Sequence, residues 1–200
     1  MSLETRIYSV LVVSSSEKFN SALLPMLPES EYGPVRFASD INAARRMFAE
    51  YQFDFVIINS PLSDDTGIRF AVDTCTSGSS VTLYLVRADF LDEAQAFASR
   101  FGVFTLAKPT SRPMIVTALG WLASARERLR SSEKTNLSLE KKMEEIRLVN
   151  KAKWLLISRL NMEEKEAHRH IERQAMDRCI TKRDVAEEII QKYRQQIFLH

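Results

Sequence analysis

Every glycine and every proline of this chain stands at or before residue 120. The glycines are at 33, 67, 78, 102 and 120, and the prolines at 25, 28, 34, 61, 109 and 113. Residues 121–200 contain neither. Glycine opens left-handed backbone to the chain and proline stops a helix, so the two together punctuate a fold. The front of the chain is therefore expected to turn often, and the rear to run as helix. A front of about 120 residues is long enough to bury its own core, whereas eighty helical residues gain from a partner.

Hydrophobic periodicity fills in the front part. Residues 9–13 (SVLVV), 53–58 and 81–86 are short continuous apolar runs, which read as strands buried on both faces. Residues 35–38 and 103–106 are shorter candidates. Between the runs lie helical stripes over 18–27, shortened by Pro25 and Pro28, over 41–48 behind an Asp40 cap, over 68–76, and over 88–101 with Phe90, Ala94, Phe97 and Ala98 directed inward. Five strands alternating with helices predict an α/β fold: a five-stranded, doubly wound parallel sheet of flavodoxin-like type. Ligands of such sheets sit at the carboxyl ends of the strands. The residues there are Ser14, Ser15, Asn59, Arg87 and Lys108.

SVLVVSSS, DFVIINSPLSDDTG, TLYLVRA and FTLAKP together resemble, over residues 6–125, the receiver domain of two-component response regulators. The resemblance implies a strand order with the first strand between the second and third. It also implies a Lys-Pro bond, here Lys108-Pro109, that is often cis. The chemistry departs from that family. Receivers place two acidic residues after the first strand to hold Mg²⁺, where this chain has Ser14 and Ser15. The phosphoryl-accepting aspartate is replaced by Asn59, and the Ser or Thr ending the fourth strand by Arg87. Lys108 alone matches. An amide is no nucleophile towards a phosphoryl donor, and hydroxyls bring no charge to a hard cation. Arg87 is expected to put a fixed positive charge where metal and phosphate would sit. These five residues are read as a degenerate phosphorylation site, and no aspartyl phosphorylation is expected. Asp64 and Asp65 are read as loop-solvating or capping residues.

From Pro113 the sequence is helical. Leu122, Ala125, Leu129, Ser132, Asn136, Leu139, Met143, Ile146, Asn150, Lys153, Ile157 and Leu160 step by threes and fours as a heptad seam. This predicts either a linker helix pairing two chains as a parallel coiled coil, or two ordinary amphipathic helices. Ser131-Ser132 and Thr135-Asn136 mark an expected break. Three helices then follow: one from Leu137 to Leu160 ended by Asn161, one opened by the acids 163 and 164, and one capped by Thr181 with Asp184 three residues on.

The last segment carries Ala152-Lys153, Leu155-Leu156, Arg159, Glu164, Ala167, the run Ala175-Met176-Asp177-Arg178, and Val185-Ala186. This pattern resembles the ANTAR domain, the RNA-binding output module of transcription antiterminators. Two positions depart from it: Trp154 stands where a small residue is usual, and Cys179 where a basic one is frequent. The resemblance implies recognition of RNA hairpin loops in leader transcripts, which suits a homodimer. Lys153, Arg173, Ala175, Met176, Arg178, Lys182 and Arg183 are the expected RNA-binding residues, with Lys151, Arg159 and Arg169 as further cations. The expected limits are 1–125 for the degenerate receiver, 126–138 for the helical linker and 139–200 for a three-helix ANTAR-like domain.

The remaining chemistry is excluded by what the sequence lacks. It has no phosphate-binding glycine loop, nucleophile elbow or zinc-protease motif, so no enzyme, cofactor or metal is expected. His168 and His170 are two apart on a helix and point to different sides. A net charge of +2 demands no polyanionic partner by itself. No apolar run reaches membrane-spanning length, the first residues lack a signal-peptide pattern, and two cysteines make no disulfide framework. These absences suit a cytoplasmic protein, and the ANTAR resemblance implies a regulator of transcription antitermination. A non-enzymatic signalling adaptor or dimeric interaction module is the alternative, and a DNA-binding regulator a weaker third.

Overall fold

The computed structural model describes residues 6–77 and 79–195. The chain divides into two compact units that meet between Ser131 and Ser132.

The first unit is a five-stranded parallel sheet in the order β2-β1-β3-β4-β5. Its strands are β1 (Tyr8–Val13), β2 (Tyr32–Ala38), β3 (Phe55–Asn59), β4 (Val81–Arg87) and β5 (Phe104–Lys108). The strand order is the one the receiver resemblance implies, and the Lys108–Pro109 bond is cis. Side chains alternate across a strand, so each apolar run divides between two cores. Leu11, Val13, Val56, Ile58, Tyr84 and Val86 face one side. Helices α2 (Ile41–Glu50), α3 (Ile68–Thr76) and α4 (Leu91–Ala98) cover that side with Ile41, Ala44, Phe70, Ala71, Ala94 and Ala98. Val10, Val12, Phe55, Ile57, Leu83 and Leu85 face the other side. There they meet Leu23 of α1 (Glu17–Leu23) and Ile115, Ala118, Leu119 and Leu122 of α5 (Arg112–Leu160). Burial on both faces is why these strands read as unbroken apolar runs.

Local chemistry sets the helix starts. Asp40 caps α2, its Oδ1 accepting from the Ala43 amide at 2.8 Å. The Asp64 carboxylate joins the same helix end, accepting from the Ile41 amide at 3.0 Å, and Asp65 accepts from the Gly67 amide at 2.7 Å. Both acids thus act as capping and loop residues. Gly67 opens α3 with φ of 82°, a left-handed conformation that suits glycine.

The stripe over 18–27 is shortened at its prolines, as expected: it is α-helical to Leu23 and tightens to 3₁₀ at Leu24–Met26, where Pro25 removes a backbone donor. Two expectations require correction. Phe90 and Phe97 are not inward: both are exposed, and the core positions of α4 are filled by Ala94 and Ala98. Helix α5 does not break at Ser131-Ser132 or Thr135-Asn136 but runs for 49 residues. Each of those residues costs a few tenths of a kcal/mol relative to alanine, far less than nucleating a second helix, roughly 4 kcal/mol.

A buried ion cluster fastens the start of α5 within this unit. Asp54, 9% exposed, receives Arg126 Nε at 2.9 Å and Arg130 Nη2 at 2.7 Å on one oxygen, and the Ser9 amide at 3.1 Å on the other. Arg126 is itself only 8% exposed. Arg130 also reaches Glu127 at 2.9 Å, and Glu127 pairs with Arg6.

The second unit is all-helical. The end of α5 packs with α6 (Glu164–Asp177) and α7 (Lys182–Gln195) around Ala152, Leu156, Ala167, Ile171, Ala175, Val185, Ala186, Ile189 and Tyr193. Four of these nine are alanines, which lets the helix axes approach closely. Asn161 follows α5 with φ of 52°. Glu163 and Glu166 form a capping box on α6, and Thr181 and Asp184 exchange hydrogen bonds at the start of α7. No helix among the described residues is long and apolar enough to cross a membrane.

Candidate functional site

At the carboxyl ends of β1, β3 and β5 the structure brings Ser14, Asn59 and Lys108 into one hydrogen-bonded chain. Lys108 Nζ donates to Asn59 Oδ1 at 2.6 Å, and Asn59 Nδ2 donates to Ser14 Oγ at 3.0 Å. Ser14 Oγ also accepts from the Ser16 amide at 3.1 Å, and Lys108 donates to the Ser60 carbonyl. An ammonium has no acceptor, so the oxygen of Asn59 must face Lys108 and its nitrogen must face Ser14. Burial pushes the Lys108 ammonium pKa below its ordinary range, and the Arg87 charge adds to the shift.

Ser15 and Arg87 stand apart from this chain. Ser15 is exposed. The Arg87 guanidinium lies over the Phe90 ring, 4.7 Å from its centroid, and its charge still acts on Lys108.

The receiver fold implies Mg²⁺ at this place, and the donor set does not fit that ion. A hard divalent cation takes carboxylate oxygens. Here the buried donors are a hydroxyl and an amide already committed to each other, with an ammonium 2.6 Å from the amide oxygen. No group of three or more His, Cys, Asp or Glu suited to a metal occurs among the described residues.

The helical unit holds the basic residues, and most of those expected to bind RNA turn inward on acids of their own domain. Arg178 makes a two-pronged contact with Glu188 at 2.6 and 2.7 Å. Lys182 reaches Glu172 at 2.5 Å, Arg183 reaches Glu187 at 2.8 Å, and Lys153 reaches Glu164 at 3.1 Å. The Lys182 contact holds the Glu172 carboxyl below the usual carboxylate range, and Glu188 raises Arg178. Ala175 is buried in the three-helix core, so no base approaches it directly; Met176 beside it is 77% exposed.

Helix α6 carries a different cationic feature. Lys165, Arg169 and Arg173 are spaced i, i+4, i+8, so they share one face. All three are exposed, and none forms an ion pair among the described residues. Sequence reasoning named Arg169 and Arg173 but missed Lys165, although the four-residue step was available to find it. Trp154, 71% exposed, lines with Lys165, the first member of this row, a cleft of about 740 Å³.

Comparison with known proteins places both units. The ANTAR domain profile matches residues 137–190. The chain is 26% identical over 182 residues to the transcriptional regulatory protein PdtaR of Mycobacterium tuberculosis, covering 91% of this chain and 89% of that protein. Its fold is similar to the signal receiver domain of an HD domain-containing protein from Pseudomonas fluorescens Pf-5. That likeness has a TM-score of 0.55 at 21% identity and covers 67% of this chain and 97% of that one. It is also similar to a two-component response regulator from Clostridium difficile, with a TM-score of 0.52 at 15% identity, covering 58% and 96%. The chain thus joins a sheet in receiver order at the front to a region similar to the ANTAR domain at the rear, and along most of its length it is similar to a transcriptional regulatory protein.

Proposed function

We propose that this protein is a transcription antitermination regulator that binds RNA hairpins through its ANTAR domain, residues 139–200, and that its receiver, residues 1–125, works without aspartyl phosphorylation. The observation that carries the RNA assignment is the exposed row Lys165, Arg169 and Arg173 on α6, none of which forms an ion pair among the described residues. Phosphates draw such cations, while the exposed bases of a loop supply sequence recognition. Arg178, Lys182 and Lys153 link helices of the domain to one another, and Arg183 is paired within α7. The Lys108–Asn59–Ser14 chain supports the second half of the proposal, because it fills the phosphoacceptor pocket with neutral groups and one ammonium.

The same reading includes a homodimer formed through the linker, residues 126–138, and the helix that continues from it. Leu129, Leu139, Met143 and Ile146 are large apolar residues of the seam left exposed along α5, as pairing requires. The test is a gel shift with a two-hairpin leader RNA against duplex DNA of matched length. RNA binding that weakens with salt and is lost on loop mutation is expected; equal binding to DNA, or no binding, removes the assignment. In parallel, acetyl phosphate with Mg²⁺ is expected to leave the protein mass unchanged, and an adduct of about 80 Da would overturn the receiver assignment.

A further inference from the structure

We infer that Trp154 is a stacking platform for an unpaired RNA base, with Lys165 placed to meet the phosphate beside it. The inference deepens the proposed RNA function and rests on it.

Tryptophan is among the residues most strongly driven to cover. Trp154 is nevertheless 71% exposed, at the position where the ANTAR pattern has a small residue. The fold gives it no packing role: neighbouring Ala152 and Leu156 enter the three-helix core, and Trp154 does not. Its neighbours one helical turn away on α5 are Asn150, Lys151, Ile157 and Ser158, which include a cation and no acid.

Beside it, Ile157 and Met162 line the cleft of about 740 Å³, ample for a nucleobase, and Lys165 of α6 is on its rim. Two acids also border that cleft, and both are already engaged. Glu163 caps the start of α6, and Glu164 is paired with Lys153 at 3.1 Å. The cation left over is Lys165, the first member of the row that continues through Arg169 and Arg173. A flat π-surface beside a line of cations is the arrangement with which proteins hold single-stranded nucleic acid. A second copy of this chain fits less well. Along α5 the exposed apolar stripe of Leu139, Met143 and Ile146 gives way to polar Asn150 and Lys153 at the next seam positions, and Trp154 lies off that seam.

The chain has two tryptophans, so Trp121→Phe leaves Trp154 as sole reporter. The full-length protein is titrated with a fluorescein-labelled hairpin RNA bearing an adenine-rich loop, and with a blunt RNA duplex of equal charge. Anisotropy reads binding in every arm, and unlabelled RNA is used for tryptophan emission. The hairpin is expected to quench Trp154 saturably, and the duplex to leave it bright. Trp154→Ala is expected to weaken hairpin binding about tenfold with unchanged helicity and melting, and Trp154→Phe to recover part of that loss. Hairpin binding that leaves Trp154 unquenched overturns the platform while sparing the RNA function. A Trp154→Ala variant that changes sedimentation but not hairpin affinity assigns the residue to a protein contact and likewise overturns it. Absence of binding in all arms removes the RNA function and the platform together.

Discussion

The division of the ANTAR cations into paired and unpaired sets makes a quantitative prediction about salt. Replace Lys165, Arg169 and Arg173 together by glutamine. Each cation that meets a single-stranded phosphate releases about 0.7 counterion, so three contribute about 2 to the slope of log affinity against log salt. Between 50 and 200 mM salt, the wild-type protein should therefore lose about fifteenfold more affinity than the triple variant. At the low-salt end the variant should bind much more weakly, and near 1 M the two should converge. The matched control is Arg178→Gln, Lys182→Gln and Arg183→Gln. Their guanidinium and ammonium groups already rest on Glu188, Glu172 and Glu187, so neutralising them should change the slope by less than about 1. Filter binding of hairpin RNA at five salt concentrations gives both slopes. An equal drop in slope for the two sets, or a larger one for the control, refutes the argument that intramolecular pairing withdraws a cation from RNA.

Three further outcomes follow from the geometry. Asp54→Asn leaves Arg126 buried against a neutral amide and should cost the first unit about 3 kcal/mol, read as a fall of several degrees in its melting transition. Burial pushes the Asp54 carboxyl pKa up, but the hydrogen bonds from Arg126 and the Ser9 amide and the charges of Arg130 and Arg126 outweigh it, and the net shift is downward. The stability it contributes is thus complete above the unfolded carboxylate pKa of about 3.9 and is lost as pH falls through the lower folded value. Wild type should lose more stability than Asp54→Asn over that acid interval, and parallel curves would refute the assignment. Gly67→Ala should destabilise the first unit by about 2–4 kcal/mol in urea unfolding: the residue is left-handed, and its Cβ would fall 2.9 Å from Ile58 Cγ2. If the proposed dimer forms through α5, Leu139, Met143 and Ile146 changed together to glutamine should convert it to monomer in sedimentation without loss of helicity; a retained dimer places the interface elsewhere.

The fold was legible wherever a signal is local. Leu11 and Val13 against Val10 and Val12 announce a strand buried on both faces. Asp40 and the Thr181–Asp184 pair announce helix starts from three residues of spacing, and the structure has hydrogen bonds at both. What stayed hidden depends on distance along the chain. Asp54 meets Arg126 across 72 residues, and nothing in either neighbourhood marks it as a partner. Arg178 meets Glu188 across a turn whose left-handed Cys179, with φ of 50°, sets the geometry. Sequence alone counted Arg178 as available to RNA because a cation and its distant acid look independent. Phe90 and Phe97 misled for a related reason: their spacing suits a buried stripe, but the alanines beside them leave the sheet room only for a close, small-residue contact.

The Lys108–Asn59–Ser14 chain also bears on reversibility. Restoring the acid by Asn59→Asp would set a carboxylate against Lys108, giving an internal ion pair that competes with any incoming cation. Ser14 is 3% exposed and its hydroxyl holds both the Asn59 amide and the Ser16 backbone, so a larger acidic side chain there must displace two hydrogen bonds before it gains a ligand. On the proposed reading, the Asn59 step exchanges a hydrogen bond to Ser14 for an ion pair with Lys108, and the Ser14 step gives up two hydrogen bonds, so neither alone assembles a site for a hard cation and a return would require several substitutions arriving together.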